Sequence, residues 1–510
     1  MKLAPSSSMA LGLMSLALLG LGCDSGPTPA KQAEDQAAAE AKAAMEKAVQ
    51  AEKAAIDKAA AEHVGDTADK AAADKAAADK AAADKPAEPT PTPAAAVAPP
   101  TPGAPGPAYF AVDKLGIVRL DGGKFTVLAE SPTSSVKGLQ IGGDGRLWTA
   151  GYQDLRRLEG DTFKEVLKAD FSEIGGSIDD FTVLADGQVW AVTYKGVSHH
   201  DGKAWSTEEK ATIGAGDDLL QGIAVDAAGK VWVTSSHKVH VRDGEAWKTI
   251  DLGKAGRGTL YFYDIELGPE GTVYALHSTA LLHIGPALDK VEKVKLGRSG
   301  MSYGSMSVST NLGLAVVDID AVSVVPTGGT PRTYGSRDSK YLKGARIDAV
   351  ATDDSGRVWA STEAGVVILG PGDAKTEWPG GSMPELTGEI RRILVIGSGP
   401  AELPGAGAVR KGGLTGKLLR DGSALTNVAV EICPSPSMIY SKTPCADGAV
   451  KFSTKSDDSG VWTVSEVPIG TYGIAVKVDG KWQITLGSNM GDGMKEGQVY
   501  DTGSLTLDKK

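Results

Sequence analysis

The stretch "GKVWVTSSHKVHVRDGEAWK", Gly229 to Lys248, decides the fold. Trp232 follows Gly229 by three residues and Trp247 follows it by eighteen. Between them runs an alternation of the kind that puts one apolar set on each face of a strand. Gly229 supplies the positive φ that a tight turn demands. The stretch therefore reads as strands, with "GIAVD" before it and "EAWKTID" at its end completing a unit of four. Val231 and Val233 point one way and Trp232 the other, so both faces need cover.

The unit recurs. Gly145, Gly187, Gly229, Gly271, Gly313 and Gly356 are separated by 42, 42, 42, 42 and 43 residues. Trp148, Trp190, Trp232, Tyr274, Val316 and Trp359 each follow by three, and Phe163, Trp205 and Trp247 follow the first three glycines by eighteen. A period of this length with four short strands per unit predicts blades of a β-propeller, each unable to bury its faces alone. "AYFAVDKLGIVRLDGGKFTVL" (108–128) supplies three strands and "EIRRILVIGSGP" (389–400) a fourth. Joined, they make a seventh blade from both chain ends and leave the ring no open edge.

From Gly412 the pattern changes to short strands broken by "RDGS", "DDSG", "PIG" and "VDGK". Gly416, the run from Asn427 to Val430, "TKSDDSGVWTV" and "VPIGTYGIAV" resemble the carboxypeptidase regulatory-like domain. That resemblance implies a small accessory β-sandwich with no catalytic residue. The fold class is thus all-β: a seven-bladed propeller over 107–405 and a sandwich over 410–510.

The amino terminus is different in kind. "MKLAPSSSMALGLMSLALLGLGC" has one Lys, an apolar run from Met9 to Leu21, and Cys23. The run has the length of a signal core rather than a membrane span. "LLGLGC" resembles the lipobox of bacterial lipoproteins, although Gly20 rather than Leu stands three before the Cys. The resemblance implies cleavage after residue 22, a lipid on Cys23 and anchoring in an envelope membrane. Residues 23–106 are Ala-rich with interspersed Lys, Asp and Glu, then Pro-rich. They predict a helical and then polyproline spacer reaching on the order of 100 Å. Of three Cys, Cys433 and Cys445 are left to pair across "CPSPSMIYSKTPC" in an oxidising compartment.

The formal net charge is −11, against a nucleic-acid footprint. The repeats resemble the two-component regulator propeller of bacterial sensor ectodomains and the repeats of streptogramin lyases. The first implies a recognition ring outside the cytoplasm. The second implies a metal-assisted lyase with a catalytic His, which does not carry over. Of the seven His, only His199 and His283 share a repeat position, on third strands, with Val241 between them. His199, His200, His237 and His240 read as outer-strand polar residues near turns.

Seven residues before the turn Gly stand Asp180 and Asp264; Asp348 aligns there once a one-residue insertion is allowed, and Arg392 takes the place in the closing blade. Either these four are a channel-mouth site for a cation or polar ligand, or the three Asp satisfy amides of their own loops. The loops "GGSIDD", "GAGDDLL", "GTLYFYD" and "SGMSYGS" carry recognition, with Tyr261, Phe262, Tyr263 and Tyr303 as contact residues. No cofactor or metal is expected. The function expected is a lipid-anchored binding or scaffold protein for a protein, peptide or glycan, placed at the outer membrane or cell surface. The alternatives are a propeller lyase or hydrolase acting on a small substrate, and an accessory to a separate sensor.

Overall fold

A computed structural model describes residues 103–507, interrupted by short stretches of which 253–260 and 297–304 are the longest. The leader, Cys23, almost the whole spacer and Tyr303 lie outside the described residues. Seven four-stranded antiparallel sheets follow one another, and their inner strands are Gly138–Ile141, Ile178–Val183, Leu220–Val225, Phe262–Leu267, Met306–Ser309, Ile347–Thr352 and Ile390–Val395. Each inner strand touches the next, and the last touches the first. They are the inner strands of blades 1 to 7 of a closed ring.

The closing blade joins the chain ends as expected. Ile390–Val395 pairs with Ala108–Val112, which pairs on its other side with Gly116–Asp121 and then Lys124–Val127. Phe110 stands opposite Ile393. Phe110, Phe125, Trp359 and Trp378 gather beside this seam, with ring centroids 5.4–6.5 Å apart. Edge contacts of this kind add to the area they bury.

The opening stretch shows why the repeat works. The strands of blade 3 are Leu220–Val225, Val231–Ser235, Val239–Asp243 and Ala246–Thr249. Trp232 packs into the core shared with blade 4, beside Phe262, Ile265 and Val273. Val231 and Val233 pack into the core shared with blade 2, beside Trp190, Val192 and Val197. Alternate residues of one strand therefore feed two different cores. The turn glycines Gly145, Gly187, Gly229, Gly271, Gly313 and Gly356 all have φ between 73° and 92°. An Asp in the turn fixes the repeat Trp: the indole N–H donates to Asp144 from Trp148 (2.9 Å), to Asp226 from Trp232 (3.2 Å) and to Asp353 from Trp359 (2.9 Å).

The C-terminal part is two facing sheets. One is built on Lys411–Arg420, flanked by Val461–Pro468 and by the parallel strand Val499–Thr506; the other orders Phe452–Lys455, Ala429–Cys433, Tyr472–Val478 and Lys481–Met490. Leu414, Leu418 and Trp462 meet Val430, Ile432 and Ile474 in one core. Cys433 and Cys445 form a disulfide with Cα atoms 5.8 Å apart. Arg410 ties this part to blade 6: its amide donates to Gly381 (3.2 Å), and its carbonyl accepts from Ile469 (2.9 Å). Val450 packs against the blade core that holds Tyr341.

Candidate functional site: the channel mouth

The site begins with a register shift. In blades 2, 3, 4, 6 and 7 the inner strand carries a β-bulge at its entrance, on Asp179, Gln221, Tyr263, Asp348 and Arg391. A bulge re-aims side chains at a rim, and here it sets two tiers. The bulge residues and Lys137 line a cavity of about 680 Å³ together with Leu219, Arg346, Glu389 and Arg392. The residues after the bulges, Asp180, Gly222, Asp264, Ala349 and Arg392, form the tier beneath, with Gly138 of blade 1 at the matching register.

This corrects the alignment of Asp348. It lies in the bulge tier, and Ala349 takes the place of Asp180 and Asp264. Seven residues before Gly356 is Ala349, the same spacing as in the other blades, so the extra residue of the 43-residue step lies before Asp348. Phe262 is also corrected: it is fully buried beside Trp232 and cannot meet a ligand. The bulge puts Tyr263 on the mouth. Tyr261 is 37% exposed, lies 5.5 Å from Tyr263 and 6.1 Å from His237 between ring centroids, and extends the rim outward. Tyr152 and Tyr194, at matching second-to-third-strand turns, are 58% and 65% exposed.

The lower-tier carboxylates do structural work, across blades. Asp180 accepts from the Ile223 amide of blade 3 at 3.0 Å, and Asp264 accepts from the Met306 amide of blade 5 at 3.4 Å. Ser305 repeats the pattern on Val350 of blade 6 at 3.1 Å. The carboxylates bond the next blade, and each also bonds the next amide of its own strand, Asp180 at Phe181 and Asp264 at Ile265 (3.0 Å). Gly138 and Gly222 leave room where a side chain would strike Phe181 or Ile265.

Electrostatics set the tiers apart. Burial, and then the nearby Asp264, push Asp180 up to about 7, against help from Ile223 and Arg392. Burial raises Asp264 as well. Glu266, two residues along the same strand, is raised well above the usual carboxylate range by burial and by both Asp residues. Three carboxylates thus crowd one low-dielectric space and resist ionising together. In the upper tier Asp348 is pushed by burial up to about 6 while Arg346 pulls it down.

The upper tier is cross-paired. Lys137 meets Asp179 at 3.1 Å, Arg346 meets Asp348 at 2.6 Å and Glu389 at 3.2 Å, and Arg391 meets Glu389 at 3.3 Å. Arg392 is exposed, and among the described residues no carboxylate lies within ion-pair distance of it; its Nη1 donates to the Arg391 carbonyl at 3.4 Å. The mouth therefore offers a fork of donors beside acceptors and aromatic faces. Among the described residues no group of three His, Cys, Asp or Glu side chains is arranged to hold a metal ion.

Sequence reasoning missed Glu266, Lys137, Asp179, Arg391 and Arg346. The signal for Glu266 was present, because residues two apart on a strand share a face. Apart from the exposed His237, the described histidines are more buried than expected. His199 stacks on Trp190 at 4.1 Å and His283 tilts against Tyr274 at 5.0 Å, each on the repeat aromatic across the strand pair. His240 is fully buried between Thr249 (3.1 Å) and Ser235 (3.2 Å), and burial lowers it to about 4.

No protein-family model and no curated protein matches the chain. Among solved structures it is similar to virginiamycin B lyase from Staphylococcus aureus, with 16% identity, 48% of this chain and 84% of that chain covered, and a TM-score of 0.39. It is also similar to the extracellular domain of the hybrid two component system BT3049 from B. thetaiotaomicron, with 13% identity over 72% of this chain and 55% of that one, at a TM-score of 0.38. A third similar structure is YCF48 bound to D1 peptide, with 11% identity over 51% and 87% of the two chains and a TM-score of 0.38. The ring itself rests on this chain's own strand pairing.

Proposed function

We propose that the chain is a lipid-anchored, extracytoplasmic binding or scaffold protein. In this reading residues 1–22 are a cleaved leader, Cys23 carries the lipid, and 23–106 hold the globular part away from an outer membrane or cell surface. The propeller over 107–405 recognises a protein, peptide or glycan at its mouth, and the domain over 410–510 extends that surface.

The observation that supports this reading is the mouth: a polar cavity of about 680 Å³ with exposed Tyr152, Tyr194 and Tyr261 on the same face. Rings and an exposed guanidinium at a concave site are the groups that dominate recognition energies. Full-length protein used as bait on solubilised envelope membranes is the test. The double substitution Arg392→Glu with Tyr261→Ala loses the captured partner, and unchanged capture rejects the mouth as the recognition surface. Cys23→Ser separately tests the anchor, by moving the chain from the membrane to the soluble fraction.

A further inference from the structure

The mouth has a charge of its own sign. The chain carries a formal net charge of −11, yet Lys137, Arg346, Arg391 and Arg392 line this cavity against the carboxylates of Asp179, Asp348 and Glu389. In both arginine pairs the cation is the outer member. The Arg346 side chain is 57% exposed over Asp348 at 10%, and Arg391 is 49% exposed beside Glu389 at 35%. An approaching group therefore meets guanidinium before it meets carboxylate. Repulsion from the acidic remainder of the chain is screened within about 10 Å in ordinary salt.

Donors are also left over. A guanidinium has five N–H groups. Arg346 uses Nε on Asp348 and Nη2 on Glu389, while Arg391 uses Nη2 on Glu389 and has Nε 3.7 Å from Asp113. Among the described residues no carboxylate takes Nη1 of either. Arg392 is exposed and faces the lower tier, where it pulls down Asp180, Asp264 and Glu266. Burial outweighs that pull and holds all three above the ordinary carboxylate range, so they return less than their formal charge to Arg392. The three arginines stand at the entrances of two adjacent inner strands, Ile347–Thr352 and Ile390–Val395. Leu219, 45% exposed, lines the same cavity. An open aliphatic side chain suits an aliphatic partner, whereas a sugar ring needs an aromatic face.

We infer that the mouth takes an acidic peptide segment, its carboxylates on the guanidiniums of Arg346, Arg391 and Arg392 and an apolar side chain on Leu219. Bonds between a guanidinium fork and a carboxylate are charge-assisted and can be bidentate, which gives direction as well as attraction. The inference rests on the mouth being the recognition surface and adds the chemistry of what it recognises.

The test titrates the full-length protein by calorimetry with acetyl-Glu-Leu-Glu-Leu-Glu-amide, with its Gln-for-Glu counterpart and with a galacturonic acid oligomer. The acidic peptide binds wild type and weakens as salt is added. It binds about tenfold or more weakly to Arg346→Gln and to Arg392→Gln, and the Gln peptide is weaker than the acidic one by a similar factor. Arg346→Gln keeps the backbone amide that donates to Glu363, and carries the test should Arg392→Gln melt early. Equal binding of the two peptides overturns the proposal, as does equal binding to wild type and both variants, or no binding of the acidic peptide. An oligomer that matches or exceeds the peptide also overturns it and assigns a polysaccharide. If the peptide fails while Arg392→Glu with Tyr261→Ala still loses its captured envelope partner, the mouth stands as the recognition surface and only the acidic peptide is rejected.

Discussion

Asp353 shows what a single repeat residue carries. Its side chain is fully buried and accepts from the Arg357 guanidinium (2.7 Å), the Trp359 indole (2.9 Å), the Ser355 hydroxyl (2.6 Å) and two turn amides. Asp353→Ala strands all of these donors and costs about 3 kcal/mol, whereas Asp353→Asn keeps acceptors and costs about half that; thermal melts compare the two. Asp180 works in the opposite sense. Its folded-state carboxyl sits at about 7, above the ordinary 3.8, so the folded chain holds a proton that the unfolded chain releases. Its ionisation costs stability as pH rises through 7, and the cost is absent at low pH. Asp264, Glu266 and Arg392 face it; Asp180→Asn still accepts from Ile223 and relieves Glu266 of one neighbouring charge. The melting temperature of that variant relative to wild type therefore rises by about 3 °C or more between about pH 5.5 and 8.5. A constant difference rejects the crowded-carboxylate account. Residue identities at this scale were half legible. Gly and Trp announced themselves by spacing, but the burial of Phe262 beside the open Tyr263 depends on which of two neighbours a bulge turns inward.

At the scale of the element, the blade is a sheet whose two faces belong to two different cores. That was readable from the alternation of Val231, Trp232 and Val233, because period-two patterning survives any tertiary context that covers both faces. The bulge at the strand entrance was not readable, since it adds a residue without leaving a marker. Asp348 was misaligned for another reason: the extra residue of the 43-residue step lies before it, not between it and Gly356. Two glycines separate turn chemistry from blade spacing. Gly187 has φ 85° and nothing near its missing Cβ, so Gly187→Ala pays only for backbone strain, about 1 kcal/mol. Gly143 donates its amide to Val183 of the next blade at 2.8 Å, and a Cβ there would press into the backbone at Leu184 and Ala185. Gly143→Ala forces two blades apart and costs several-fold more, read as the difference between the two melting curves. Equal costs would mean that the blades are not in close register at this edge.

For the molecule as a whole, closure at the two ends of the propeller is the long-range fastener, and the Cys433–Cys445 disulfide is a local one in the C-terminal domain. Both were visible in the sequence, one as three strands in 108–128 with a fourth in 389–400, the other as Cys433 and Cys445 on either side of one loop. The docking of the C-terminal domain on blade 6 was not visible, because Arg410, Val450 and Ile469 look like any other residues until the linker is folded. Reducing the disulfide, or substituting Cys433→Ser with Cys445→Ser, removes about 3 kcal/mol from that domain and lowers its melting transition. The propeller transition moves less, as differential scanning calorimetry resolves.

The seam between Ala108–Val112 and Ile390–Val395 also sets a timetable. The first three strands of the last blade are made at the start, yet their fourth partner is translated only after six blades have emerged. Until then Phe110 lacks its neighbours Trp359 and Trp378, and the strand that carries it has one ladder of amides with nothing to bind. A chain that must wait this long for its last partner is vulnerable to pairing with another copy in the interval.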